Sequence, residues 1–250
     1  MRLTIALLLA TSAFAGREVA ITIDDLPRGG DGEPNLEAMK LMTTKLLQPF
    51  AAGKIPLIGF ANECHFSDGV KEILAMWKAA GAELGNHTCS HPDLNTTPVE
   101  KYKADIEKGE KLMAELLGHR PRYFRHPFLH AGKDAETKRA INDFLKRRGY
   151  SVAPVTLDNS DYLFAKAYMS ALQGSDGETA TKIREAYLSY MESIFEFFEK
   201  RSIEVTGHEI RQTLLIHANQ LNADTIPQLI EMMKRRGYRI VTLGRALAGC

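Results

Sequence analysis

Short apolar runs rich in β-branched residues alternate with longer amphipathic stretches along nearly the whole chain, and this rhythm narrows the range of folds sharply. EVAITID (18–24), IPLIGFAN (55–62), AELGNH (82–87), RYFRHP (122–127), YSVAPVTLD (150–158), QTLLIHA (212–218) and YRIVTL (238–243) read as strands. Segments with apolar residues at helical spacing fill 35–52, 68–81, 99–118, 134–149 and 224–237. Strands apolar on both faces need cover on both faces, and helices between consecutive strands make those strands parallel. Repeated this often within 250 residues, the pattern predicts an α/β fold. The expected form is a (β/α) barrel of about seven parallel strands, complete or partly open, rather than an open sheet. Only residues 163–201 break the rhythm, and they read as a helical insertion of two helices. The aromatic face of 184–198 is assigned to core, because helical spacing already accounts for it. No linker, repeat or low-complexity tract divides the chain, so residues 16–250 are expected to form one domain.

The first residues differ in kind. MRLTIALLLATSAFAG has an early positive charge, an apolar run and the A-x-A site Ala13-Phe14-Ala15. That is the pattern of a secretory signal peptide, expected over residues 1–15. Its apolar run is too short to stay as a membrane anchor. No other stretch reaches transmembrane length, so the product is expected to be exported, periplasmic or extracellular, without stable membrane insertion. A formal net charge of +1 removes the electrostatic case for nucleic acid. Cys64, Cys89 and Cys250 make an odd set. Cys64 could pair with Cys250 in an oxidising compartment. Cys89 is expected to pack as a small hydrophobe, with a thiolate ligand as the alternative.

In such barrels chemistry collects at the C-terminal ends of the strands, and the polar residues here follow that rule. Asp24-Asp25 end the first strand, His87 ends the third, and Arg125 lies in the 122–127 run. Asp158 closes 150–158 with Asp161 just behind it, and His217 ends 212–218. The stretch GNHTCSHP sets His87 and His91 four apart; within one helical turn they would face the same way. Asp25, from a neighbouring strand end, is the candidate third ligand. Two histidines, one carboxylate and an open position describe a catalytic rather than a structural zinc site. Asp24 then stays free to take a proton from an attacking water. His217 titrates in the range needed to protonate an amide nitrogen as it leaves. His65 and His130 are candidates to touch substrate, while His119 and His208 are expected to be solvated.

TIDDLP, HTCSH, RHPF, DNSDY and LLIH stand in the order of five motifs. From about residue 18 to 245 the chain resembles the polysaccharide deacetylases of carbohydrate esterase family 4, which include chitin, peptidoglycan and chitooligosaccharide deacetylases. The resemblance implies a distorted (β/α) barrel. It implies Asp25, His87 and His91 as ligands of a divalent metal, zinc by expectation, and Asp24 as general base. Arg125 would orient Asp24, and His217 would be the general acid with Asp161 hydrogen-bonded to it. The peptide N–H of Phe128 would hold the oxyanion, with Pro127 beside it at the substrate. The implied substrate is an N-acetylated sugar polymer or oligomer, deacetylated at nitrogen or at oxygen.

Three positions depart from the family pattern. Leu26 stands where a glycine usually follows the two aspartates, Phe128-Leu129 where Tyr-Gly is usual, and Tyr162 where Trp is common. All three are expected beside the substrate groove, where they bear on a long polymer more than on the chemistry. The 163–201 insertion could wall the cleft. Two other readings stay open: a metal-dependent amidase or esterase acting on a small acylated molecule, and a non-catalytic carbohydrate-binding relative.

Overall fold

The computed structural model of the protein describes residues 16–29 and 35–248. The expected leader at 1–15 and Cys250 lie outside these residues. Among the described residues, seven strands form one parallel sheet: β1 (Glu18–Leu26), β2 (Ile58–Ala61), β3 (Glu83–Asn86), β4 (Tyr123–Phe124), β5 (Ser151–Val152), β6 (Gln212–His217) and β7 (Arg239–Ile240). Their order is β5-β4-β3-β2-β1-β6, with β7 beside the start of β1. The helices are α1 (Leu36–Gly53), α2 (Asp68–Ala79), α3 (Val99–Leu117), α4 (Ala135–Arg147), α5 (Asp161–Gln173), α6 (Gly177–Thr206), α7 (Gln220–Arg235) and α8 (Leu243–Leu247). No helix among the described residues is long and apolar enough to cross a membrane.

The two-residue period of β1 explains why it reads as apolar throughout. Val19, Ile21 and Ile23 face the helical layer, where they pack with Leu46 and Phe50 of α1 and Ile226 and Met233 of α7. Ala20 belongs instead to a second cluster with Ile58, Phe60 and Tyr123, inside the barrel. Alternate residues of one strand thus serve two separate cores. Each fully buried Leu, Ile or Phe contributes about 1.5–3 kcal/mol by leaving water.

The 150–158 run is not one strand. Ser151 and Val152 pair with Tyr123 and Phe124 of β4, and then Pro154 interrupts the ladder. Leu157 rejoins the sheet through a bridge to Leu214 of β6. One segment therefore touches both ends of the strand order and closes the sheet into a distorted barrel. The 122–127 and 238–243 runs are likewise shorter than expected, with two residues each in the ladder. The insertion is a helical pair, α5 and α6, packed with α7. Tyr187, Met191 and Phe195 of α6, four residues apart, are wholly buried, so its aromatic face is core.

Candidate active site

Asp24 and Asp25 lie near the C-terminal end of β1. In a regular strand neighbouring side chains point to opposite faces. Here the register of β1 against β2 shifts between Ile23 and Leu26, and Asp25 adopts φ 63°. The left-handed residue, which Asp tolerates better than most, brings both carboxylates to one end of the barrel. It also sends Leu26 into the core, where a Cβ on Gly59 would lie 2.5 Å from the Leu26 side chain. Leu26 therefore does not flank the groove, contrary to the expectation from sequence, whereas Phe128, Leu129 and Tyr162 do line it.

The His87–His91 stretch is a loop, not a helical turn, so the helical-face argument for its spacing does not hold. Thr88 (φ 68°) and His91 (φ 55°) are both left-handed. Hydrogen bonds hold this shape. The Asn86 side chain accepts from the Thr88 N–H at 2.8 Å, and the Thr88 hydroxyl accepts from the His91 N–H at 3.1 Å. Asp105 on α3 accepts from the N–H groups of Cys89 and Ser90, both at 2.8 Å. Cys89 is joined to Cys64 by a disulfide with a Cα–Cα distance of 4.5 Å. Cys89 is thus neither a metal ligand nor a free buried thiol, and Cys64 pairs with it rather than with Cys250.

This loop sets the Nε2 atoms of His87 and His91 at 3.6 and 3.5 Å from Oδ1 of Asp25. The three groups offer ligand atoms all within 4.8 Å of one another. Nδ1 of His87 donates to the Arg125 carbonyl oxygen, 2.8 Å away, which leaves Nε2 as a lone pair aimed at Asp25. Burial holds His87 well below the usual histidine pKa and keeps the ring neutral, as a ligand must be. Asn62 donates to Asp25 Oδ1 at 2.6 Å. One oriented carboxylate and two neutral imidazoles fit a divalent cation, with the supporting hydrogen bonds such sites need.

Beside this set lies Asp24, 3.7 Å from His87 Nε2. One of its oxygens accepts from Arg125 at 3.2 Å; the other, Oδ1, is buried with no hydrogen-bond partner among the described residues. Burial raises its pKa to about 6, against the pull of Arg125. Arg125 is itself fully buried. It is fixed by donation to the Ala153 carbonyl (3.0 Å) and the Thr22 hydroxyl (2.9 Å), above the Phe60 ring.

His217 pairs with Asp24 across the β1–β6 ladder and places Nε2 4.0 Å from Asp25. Its Nδ1 is 2.7 Å from Asp161, the first residue of α5. The Asp161 carboxylate also accepts from the His217 N–H (2.8 Å), Asn222 (2.6 Å) and Asn219 (3.3 Å). The Tyr187 hydroxyl of α6 donates to the Asn222 side-chain oxygen at 2.7 Å. Burial opposes charge on His217, but Asp161, with Asp25 and Asp24, overrides it and raises the pKa to about 10.

These groups form the floor of a cleft of about 960 Å³. One face of α5, with Tyr162, Lys166, Met169, Ser170 and Gln173, makes a wall. Pro127 is buried beneath the opposite rim, where Phe128 (φ 55°) and Leu129 (φ 57°) are left-handed and the Phe128 ring meets His91 edge-to-face, centroids 4.5 Å apart. His130 lines the cleft and pairs with Asp93 at 2.7 Å. His126, not singled out from sequence, also lines it, with its Nδ1 3.1 Å from the Tyr102 hydroxyl. His65, His119 and His208 are exposed and are not among the residues of the cleft wall. Asn62, Asn222 and Tyr187 also escaped the sequence reading; no local signal distinguishes them, because their partners lie far away in the chain.

A parallel (β/α) barrel with an aspartate pair and histidines gathered at its strand ends defines a class of proteins built around a candidate hydrolytic metal centre. Within that class the chain belongs to the polysaccharide deacetylase family, whose model matches residues 12–149. It is 25% identical to a chitin deacetylase of Colletotrichum lindemuthianum over 176 residues, 70% of this chain and 60% of that protein. It is 33% identical to a peptidoglycan-N-acetylglucosamine deacetylase of Bacillus cereus over 120 residues, 46% of this chain and 39% of that protein. The chain thus spans less than two thirds of these relatives. The solved structure of the Colletotrichum enzyme shares the fold, with a TM-score of 0.63 at 24% identity over 94% of this chain and 89% of that one. The same fold occurs in a pseudoenzyme of carbohydrate esterase family 4 from Bacillus anthracis, with a TM-score of 0.59 at 14% identity over 93% of this chain and 66% of that one. The fold alone therefore carries no activity.

Proposed function

We propose that the protein is an exported, metal-dependent deacetylase that removes N-acetyl groups from an N-acetylated saccharide. The observation that carries this reading is the placement of Asp24 and His217 around the Asp25–His87–His91 set. One is a buried carboxylate with an unpartnered oxygen, the other an imidazole held by a saturated aspartate. Two titratable groups with unlike environments beside one ligand set are what an acid–base pair requires. A divalent cation, zinc by first expectation, supplies Lewis acidity at the acyl carbonyl and lowers the pKa of an attacking water when bound.

The remaining roles belong to the chain. Asp24 takes the proton of the attacking water, while Arg125 holds one of its oxygens and fixes the direction of the carboxylate. The Phe128 N–H, on its left-handed turn after Pro127, stabilises the oxyanion. His217 presents Nε2–H to the departing amine nitrogen, since an amide leaves poorly until protonated. Asp161 fixes the tautomer of His217 and favours its charged form. A binding-only relative needs no such acid and base, which argues against that reading. The α5 wall, Tyr162 and Leu129 favour an oligosaccharide or chain end over the middle of a long polymer. A carbohydrate substrate and the A-x-A leader pattern support work at a cell wall or outside the cell.

The test is acetate release by purified protein, with and without chelation, from chitooligosaccharides, peptidoglycan fragments and small acylated amides. Chelator-sensitive release from the saccharides is the expected result. Release only from the small amides would move the assignment to the small-molecule amidase or esterase reading. Full activity of metal-free protein would remove the metal from it.

A further inference from the structure

Cys89 lies between the two histidines of the ligand set, and its disulfide partner Cys64 lies two residues beyond Asn62, which donates to the third ligand, Asp25, at 2.6 Å. The bond therefore joins the loop that carries His87 and His91 to the loop that orients Asp25. We propose that the Cys64–Cys89 disulfide is a positioning device for the metal site: it holds the two loops in the one arrangement in which the three ligand atoms converge.

The His87–His91 loop adopts a costly conformation. Thr88 and His91 are both left-handed, a conformation that is unfavourable for a residue with a Cβ relative to right-handed backbone. The loop keeps that shape only while its surroundings dictate it. Asp105 holds it from below, through the N–H groups of Cys89 and Ser90 and through the Ser90 hydroxyl at 2.8 Å. The His87 N–H donates to the Ala61 carbonyl, and the Asn62 N–H to the Leu26 carbonyl, which ties only the roots of the two loops. The disulfide is the cross-link beyond the roots, between the ligand-bearing part of one loop and the tip of the other. Its Cα–Cα distance of 4.5 Å falls within the span such bonds adopt. Cys89 is buried, so the link runs beneath the loop and leaves the cleft side to the histidines. Loss of groups that orient metal ligands typically weakens binding by about 10–100-fold, which sets the size of the expected effect.

The inference rests on the metal reading given above, and the experiment separates the two. Thiol titration of the unfolded, unreduced protein recovered from an oxidising compartment should find one reactive thiol, Cys250. Three reactive thiols would overturn the proposal. Zinc affinity is then measured by chelator competition for wild type and for Cys64→Ala/Cys89→Ala, a pair that also removes any thiolate as a substitute ligand. The expected result is a folded double variant with zinc binding weakened by roughly 10–100-fold and a broadened cobalt(II) visible spectrum. A lower melting temperature with unchanged zinc affinity and an unchanged cobalt spectrum would mean the bond only stabilises the fold, and would sink the proposal. If the double alanine variant does not fold, Cys64→Ala with Cys89→Val keeps the buried volume and takes the same measurements. Wild type that binds no divalent ion would overturn the metal reading and this inference together; equal affinity of wild type and variant would overturn this inference alone.

Discussion

At the residue scale, Asp24 and Asp25 are neighbours in sequence with different surroundings. Asp25 sits within reach of both histidines, whereas Asp24 is buried against Arg125 with one oxygen unpartnered. Asp24→Asn should therefore keep bound metal yet lower turnover by roughly 10²–10⁴-fold, the scale for loss of a general base. Asp25→Ala should lose the metal as well. Metal content and turnover of both variants decide it, and the reverse pattern would exchange the two roles. His217 separates amide from ester. His217→Ala should lose most N-deacetylation but keep a much larger share of nitrophenyl acetate hydrolysis, because the aryl oxygen leaves without a proton. Equal fractional loss on both substrates would leave His217 as a positioning group or an oxyanion donor. The pH profile carries the same roles. A base must be deprotonated, so kcat/KM should rise as pH passes the Asp24 pKa, about 6 without the cation. An acid must be protonated, so kcat/KM should fall as pH passes that of His217, about 10 without the cation. A bound cation favours the carboxylate and disfavours the imidazolium, which moves both limbs downward. A rate still climbing at about pH 10 would contradict the acid role.

At the element scale, α3 supports the His87–His91 loop through a close approach. A Cβ on Gly109 would lie 2.7 Å from both the Asn86 side-chain oxygen and the Thr88 carbonyl. Gly→Ala in a helix interior normally stabilises by about 1 kcal/mol. Here overpacking, about 1–3 kcal/mol, opposes that gain, and the groups it strikes are the ones that shape the His87–His91 loop. Gly109→Ala should therefore lower both melting temperature and zinc affinity. A variant as stable and as tight as wild type would show that the loop moves aside freely. The insertion also does more than wall the cleft. Tyr187 of α6 holds Asn222, and Asn222 donates to Asp161 and to the His217 carbonyl. The helical pair is thus part of the frame that orients the candidate acid.

At the scale of the whole molecule, the barrel separates a working end from a supporting end. Glu18 begins β1 at the end away from the cleft, accepts from Arg245 (3.1 Å) and Arg239, and forms an ion pair with Arg211 (2.9 Å). These arginines come from the chain around β6, β7 and α8, so one carboxylate gathers the C-terminal elements onto the first strand. Hydrogen bonds from Arg245 and Arg239 hold its pKa below the usual 4.5, against its burial. A depressed carboxylate pKa contributes stability above the unfolded value and loses it as pH falls through the folded one. Glu18→Gln should therefore lower the melting temperature at neutral pH, with a difference that shrinks as pH drops below about 4.5. Turnover at a temperature where both proteins are folded should be unchanged. A loss of turnover equal to that at Asp24 would break the division between the two ends.

The features legible in the amino-acid order were those with a local cause. Periods of two and of 3.6 residues belong to single elements, so the alternation of strands and helices could be read directly. Asp24, Asp25, His87, Arg125 and His217 stood out because each follows or ends an apolar run. Other features depend on contacts between distant residues, and no window of sequence contains them. The His87–His91 loop looked helical because its spacing allows a helix; Asp105 and Asn86 select two left-handed residues instead. Leu26 looked like a groove residue until the register shift beside Asp25 turned it into the core. YSVAPVTLD read as one strand, but Pro154 breaks it, and its two ends pair with opposite edges of the sheet. Cys64 found Cys89 rather than Cys250 because pairing follows spatial approach, which only the packing of the β2 and β3 loops brings about.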